Sequence, residues 1–349
     1  MAEPKKTSGV PKMLGEKKRM TDANLLLVIT IAVFVGMYLF AMLVFGEGYL
    51  RFQTFLDLLE TNACLIIVSC GMSIVMIAGG IDISVGGVVM LVAMCCAVNL
   101  EHNGGNIMTS MLIALGIGLA FGLIQGYLVA YLDIQPFIVT LAGMFFARGM
   151  TTIVYGEPFN VKQEAFKNFA RTSIEIPGMG YIAKSGKYMP AEVEIGVIVA
   201  IVIVILLFCI LRWTKTGRNL YAVGGNSQSA LMLGINVRRT KFLSHLICGL
   251  LAGIGGYIYF MHNCACSTTN PSGMEMNAIA SSIIGGTMLT GGVGNLIGTF
   301  FGVLSLTTIQ SIVASAGLED ACWIGITVAA MLCIFLIVQS LVIGRKKKA

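Results

Sequence analysis

A carboxylate, Asp82, sits among glycines in the stretch GMSIVMIAGGIDISVGGVVMLVAM, with Gly79 and Gly80 before it and Gly86 and Gly87 after. Apolar runs with the texture of membrane helices flank it on both sides. A charge is expensive in lipid, and irregular backbone is tolerated there only where protein buries it or water reaches it. The stretch therefore either turns at the membrane surface, with Asp82 or Ser84 capping the next helix, or lines a pathway across the membrane. Arg148 is the one basic residue well inside an apolar run, residues 137–155. An arginine in that setting points to function. The plainer reading is a structural ion pair, or a side chain snorkelling to an interface. Glu275 lies just ahead of the short apolar run 278–289, where a helix dipole suits a solvated acid at the outer start.

Sets of residues for other chemistry are missing. There is no G-x-x-x-x-G-K-[ST] phosphate loop and no G-x-S-x-G elbow. His102, His245 and His262 have no metal-ligand spacing, and no His/Cys cluster follows the C-x-C of Cys264 and Cys266. Most other cysteines fall in apolar runs, where they act as small hydrophobes. A membrane-embedded enzyme would need a convergent acid/base or metal set, and none is found. No enzymatic activity, cofactor or bound metal is expected on this chain.

The elements that hold these residues follow from composition. The 349 residues are 56% hydrophobic and only 11% charged. A soluble domain carries about 25% charge, so lipid must be the solvent for much of this chain. The net charge of +6 collects at the two ends and in one loop. That pattern fits membrane orientation better than nucleic-acid binding. A span needs about 20 apolar residues. Ten runs qualify or nearly do: 25–45, 55–78, 83–100, 107–132, 137–155, 193–211, 241–261, 278–289, 294–314 and 321–343. The expected fold is all-α, a polytopic transmembrane helical bundle of about ten spans.

Charge sets the orientation. The loop 212–241 carries Arg212, Lys215, Arg218, Arg238, Arg239 and Lys241 with no acid, and the C-terminus ends in Arg345, Lys346, Lys347 and Lys348. Both should be cytoplasmic, like the basic N-terminal tail. The loop 156–194 balances five basic against five acidic residues and can sit outside. It is too short for an independent core. For the C-terminus to return inside, the short Gly-rich segment at 278–289, with Gly285 and Gly286, must cross as a broken span. The expected organisation is a basic cytoplasmic tail at 1–23, a transmembrane domain at 24–343 and a second basic tail at 344–349. The domain includes the external loop 156–194 and the cytoplasmic loop 212–241.

Within that cytoplasmic loop lies GRNLYAVGGNSQSALMLGINVRR. Gly224 and Gly225 break the chain, Asn226 or Ser227 caps a short helix over 227–233, and Gly234 suits its left-handed end. Ala230 and Leu231 make this helix largely apolar. It is either a knob for a groove on a partner or an interfacial helix on the headgroups.

Four segments in register, GGIDISVG, QPFIVTLAGMFFARGM, GRNLYAVGGNSQSALMLGINV and AIASSIIGGTMLTGGVGNLIGTFFGV, resemble the permease subunits of ABC sugar importers of the ribose/galactose/arabinose type. The likeness covers about 26–343. Ile83 stands where the family pattern has leucine, a conservative change. NACLIIVSCGMSIVMIAGG and TLAGMFFARGM look closest to galactofuranose-type permeases. The resemblance implies a passive channel half that moves a monosaccharide by alternating access. Its partners would be an ATP-binding ATPase subunit, a second permease (a copy or a paralogue) and an extracytoplasmic sugar-binding protein, all at the inner membrane. ATP would bind the partner chain, and no nucleic acid is involved. It makes Gly224, Gly225, Asn226, Ser227, Ala230, Leu231, Gly234 and Ile235 the ATPase-coupling segment. Asp82, Ser84, Thr140, Phe145, Arg148 and Glu275 become candidates for the translocation path. Phe145 and Phe146 either stack on a sugar ring or simply pack. The alternative is an ion-coupled secondary sugar transporter, for which only Asp82 is a candidate ion-binding carboxylate.

Overall fold

Each of the ten apolar runs contains or forms a helix. The computed structural model describes residues 15–182, 188–268, 273–318 and 320–344. In chain order the first half holds α1 (Gly15–Phe45), α2 (Glu47–Leu50), α3 (Phe52–Ile77), α4 (Val85–Glu101), α5 (Ile107–Ala130) and α6 (Pro136–Val154). Then come β1 (Phe159–Asn160), α7 (Glu164–Ala170), β2 (Ser173–Ile182) and β3 (Tyr188–Glu194). The second half holds α8 (Ile195–Trp213), α9 (Lys215–Gly225), α10 (Ser227–Met232), α11 (Val237–Asn263), β4 (Ala265–Cys266), α12 (Met274–Ile284), α13 (Leu296–Ser315) and α14 (Ala321–Gly344). Among the described residues, seven helices are long and apolar enough to cross a membrane: α1, α3, α5, α6, α8, α11 and α13. The chain is a multi-pass membrane bundle.

Helices α3, α4 and α11 form the buried centre, and α5 and α6 pack around them. Lipid gives no hydrophobic drive between helices, so small residues that admit close approach decide which pairs meet. Gly118 and Gly122 of α5, one turn apart, face Gly249 and Gly253 of α11. A Cβ at Gly122 would come 3.0 Å from the His245 carbonyl oxygen and the Leu246 Cα.

The two ends of the bundle differ. At one end, β2 pairs with β3 and β1 with β4, both antiparallel. The β2–β3 hairpin is tied down where Glu192 N donates to Gln53 Oε1 (2.9 Å), and the chain after β1 where Lys162 N donates to Glu101 Oε2 (2.8 Å). The segment 156–194 is thus partly ordered into two small sheets and α7, which the sequence did not reveal. At the other end, α9 packs against α3, and α10 lies against α9 and α11.

α1 begins at Gly15, ahead of the apolar run, and its membrane-length part is Leu25–Phe45, the run read from the sequence. Residues 1–14 and 345–349, which hold the rest of both basic tails, lie outside the described residues. One further reading is corrected. Gly224 and Gly225 do not break the chain: they end α9, and the extended residue is Asn226, at φ −165°. Gly224 is instead a contact point, since a side chain there would strike the Ile77 carbonyl.

Candidate functional site

The site residues fall into three levels, from the α10 end inward. At the surface, Asn226 Oδ1 accepts from Ser229 N (2.9 Å) and starts α10. Gly234, at φ 78°, ends it, with Gly234 N donating to Leu231 O (2.9 Å) and Ile235 N to Ala230 O (3.0 Å). Ala230 is buried against the bundle, while Leu231, Met232 and Leu233 are 64%, 89% and 79% exposed. This is a short helix fixed at both ends, with three large apolar side chains that nothing among the described residues covers. Ser227 opens its first turn.

Behind it, α9 touches both interruptions of the bundle. Gly292 N donates to Ile77 O (2.9 Å) next to Gly224, and Tyr221 OH donates to Gly294 O (2.9 Å). Burial pushes the Tyr221 hydroxyl up to about 12, so it remains a donor at any physiological pH. A displacement of α9 therefore bears directly on the end of α3 and on the loop between α12 and α13.

The second level is the segment between α3 and α4. Gly79 turns it at φ 87°, and the chain then runs inward and buries Ile83, Ser84 and Asp82. Asp82 is 1% exposed. Its Oδ1 accepts from Ser84 N (3.0 Å) and Ser84 Oγ (2.6 Å). It therefore closes the turn just ahead of α4, and Ser84, at the cap position, makes no side-chain cap bond. Gln125 Oε1 lies 3.1 Å from Ser84 Oγ, and Thr140 Oγ1 donates to Pro136 O (2.9 Å) and lies 3.3 Å from Ile81 O. Asp82, Ser84 and Thr140 thus come together. Gln125 was missed. Its only sequence signal is an amide between Gly122 and Gly126 in an otherwise apolar run.

At the third level Arg148 Nη2 donates to Glu275 Oε1 at 2.6 Å. The Glu275 carboxylate lies over Gly86 in the first turn of α4. This corrects the solvated outer acid. Glu275 is 5% exposed, and its helix starts deep in the bundle: Met274 Sδ is 3.7 Å from Cys64 Sγ, midway along α3. With 11 residues, α12 is roughly 16 Å long, about half a hydrocarbon core. It descends beside α3 through Ser281–Ser69 (2.9 Å) and ends where Ser73 meets Thr299 (2.7 Å). Phe145 does not join the pair; it points out of the chain, 62% exposed.

The interior thus holds a broken span with a partly buried ion pair on it, and a capped apolar knob packed against α9 beside the break. Comparison with known proteins is decisive. The family described as branched-chain amino acid transport system / permease component matches residues 54–344. The chain belongs to this permease family. Its relatives include the inner membrane ABC transporter permease protein YjfF of Escherichia coli K12, 35% identical over 92% of this permease and 93% of YjfF. The fructose import permease FruG of Bifidobacterium longum is 32% identical over 91% and 92%. The ribose import permease RbsC of E. coli K12 is 31% identical over 75% and 78%. No solved structure matches. The permease is a multi-pass inner-membrane protein of the ribose/galactose-type ABC class.

Proposed function

We propose that this permease imports a monosaccharide by alternating access, powered by a separate ATPase subunit that grips α10. The observation that carries this reading is the apolar knob, Leu231 to Leu233, linked through Gly224 and Tyr221 to the end of α3 and to the loop between α12 and α13. An exposed apolar helix of six residues fits the helix-in-groove mode. Its attachment to both breaks gives a push on α10 a route to the interior.

In this reading the α10 end and both termini are cytoplasmic, and the hairpin end with 156–194 is external. The acid-free charge of 212–241 supports that orientation. Arg148 has a side chain one-third exposed at mid-depth. Lipid there is costly for a cation, so this face of α6 borders water, in a path shared with a second permease copy or paralogue. Sugar selection begins at an extracytoplasmic binding protein. Relatives named for fructose and ribose import support a monosaccharide, and the resemblance in 62–80 makes galactofuranose the first sugar to test.

The test is a reconstituted transporter carrying Leu231→Asp or Gly234→Pro. Sugar uptake should be lost and ATPase activity should no longer respond to the loaded binding protein, while the permease still inserts. Normal uptake by both variants would refute the coupling role.

A further inference from the structure

A titratable cluster lies at the opposite end from α10 and belongs to none of the three levels above. There β3 runs straight into α8, and Glu194 is the junction. The first turn of α8 is wedged where α3 meets α11: a Cβ at Gly196 would come 3.0 Å from Ile258 Cγ2 and 3.8 Å from Ala63 Cβ. Glu194 takes the cap position of α8 in extended backbone but makes no side-chain cap bond. Its carboxylate is therefore free to reach sideways, and Oε2 lies 2.9 Å from Nδ1 of His262, in the last turn of α11. Its backbone N–H goes the other way and donates to Glu60 Oε1 of α3 (3.0 Å). One residue thus joins the hairpin and α8 to both central helices.

The charges that bear on His262 are of one sign. Glu194 and Glu60 act on it directly, and Asp57 stands beyond Glu60 on α3. Asp57 Oδ1 is already held by Gln53 Nε2 (2.7 Å), and Glu192 Oε2 by Ser173 Oγ (2.7 Å). From α7, Lys167 and Arg171 bear on Cys264, two residues beyond the ring, and Lys167 is paired with Glu164 (3.5 Å). His262 is also the basic residue of the last turn of α11, where the helix dipole favours a cation. Two carboxylates and a helix end therefore converge on one imidazole.

Histidine is the side chain that changes charge between about pH 5 and 8. With both ring nitrogens protonated, His262 gives Glu194 a charged hydrogen bond and offsets the repulsion between the Glu194 and Glu60 carboxylates. With the second proton gone, the ring keeps at most a neutral bond, and two acids from different elements oppose each other. Solvent reaches the pair: the His262 and Glu194 side chains are 31% and 30% exposed. The proton can therefore come and go, and the same exposure keeps the interaction modest. We propose that Glu60, Glu194 and His262 form a proton-operated clamp, in which acid locks the β3–α8 corner onto the ends of α3 and α11 and rising pH loosens it. The contribution is fully present while His262 is charged and disappears as the ring loses its proton. The proton concentration on the hairpin side thereby sets how firmly α8 and the hairpin are held there.

The test is hydrogen–deuterium exchange on the full-length permease in lipid nanodiscs, with no ATPase, binding protein or sugar present, so that the coupling reading does not enter. Exchange is compared at about pH 5.5 and about pH 8, either side of the histidine range, with labelling times scaled for the intrinsic pH dependence of exchange. The segment 191–197 should be about fivefold better protected at the acid pH, the equivalent of one partly exposed charged pair. His262→Gln, which can still donate a hydrogen bond but cannot titrate, should abolish that difference, and so should Glu194→Gln. His102→Gln, at the same end of the bundle against Tyr155, should leave it intact. Protection of 245–258, in the middle of α11, shows that each variant is folded. The proposal is overturned if the wild type has no pH-dependent protection at 191–197, if His262→Gln or Glu194→Gln retains it, or if His102→Gln removes it.

Discussion

At the scale of single residues, Arg148 and Glu275 show what a sequence displays and what it hides. Arg148 was visible, because a lone cation in an apolar run has to be explained. Its partner was misjudged: an acid at a helix start reads as solvated wherever it occurs, and only the packing of Met274 against Cys64 shows how deep this start lies. The pair is 2.6 Å apart, and Glu275 has almost no access to solvent. Removing one member strands the other, which costs on the order of 3 kcal/mol for a buried pair. Arg148→Met should therefore lower the thermal midpoint of the purified permease. Adding Glu275→Gln should recover most of the loss, since the stranded charge is then gone. If the double variant is no better than Arg148→Met alone, the pair is not the cause. Asp82 calls for a different comparison. Its Oδ1 works as an acceptor for two donors of Ser84, and asparagine retains that acceptor. Asp82→Asn should remain folded and transport, while Asp82→Ala loses both bonds and about 1–3 kcal/mol, read by the same thermal scan. Equal damage from both would assign Asp82 a role that needs its charge.

At the scale of elements, locality decides what was legible. The start and end of α10 are written within nine residues, Asn226 to Gly234, and the helix was readable with both caps. The pairing of β1 with β4 joins Asn160 to Ala265, far apart in the sequence, and no local pattern announces it. The ends of α9 sit between these cases. Two adjacent glycines signal a break, yet here Gly224 is helical and serves to let α9 approach α3. The two glycines that bracket α10 should therefore fail for different reasons. Gly224→Ala places a methyl against the Ile77 carbonyl, a backbone atom that cannot swing aside, and should sharply reduce transport. Gly234 has open space around it but a φ of 78°, so Gly234→Ala costs only the left-handed strain, about 1–2 kcal/mol. It should leave measurable uptake. Uptake assays on the two variants at equal membrane abundance check the order, and a reversal would separate α9 from the route to α3.

At the scale of the whole molecule, the coupling argument needs the α10 end to face the ATP pool. In the proposed reading the six basic residues of 212–241 favour the cytoplasmic side for that end, because each would have to be carried through the membrane for the chain to invert. The hairpin end, with its balanced charge, has no such preference and follows. Met232, 89% exposed on α10, and Met179, 52% exposed on the hairpin, report the two ends. Each is replaced by cysteine in a background where the exposed Cys322 and Cys333 are serine. A membrane-impermeant maleimide should label Met179→Cys in intact spheroplasts and Met232→Cys only in inverted vesicles. The opposite pattern would put the apolar knob where no ATP-driven partner can reach it. Orientation is thus the property on which the direction of transport rests.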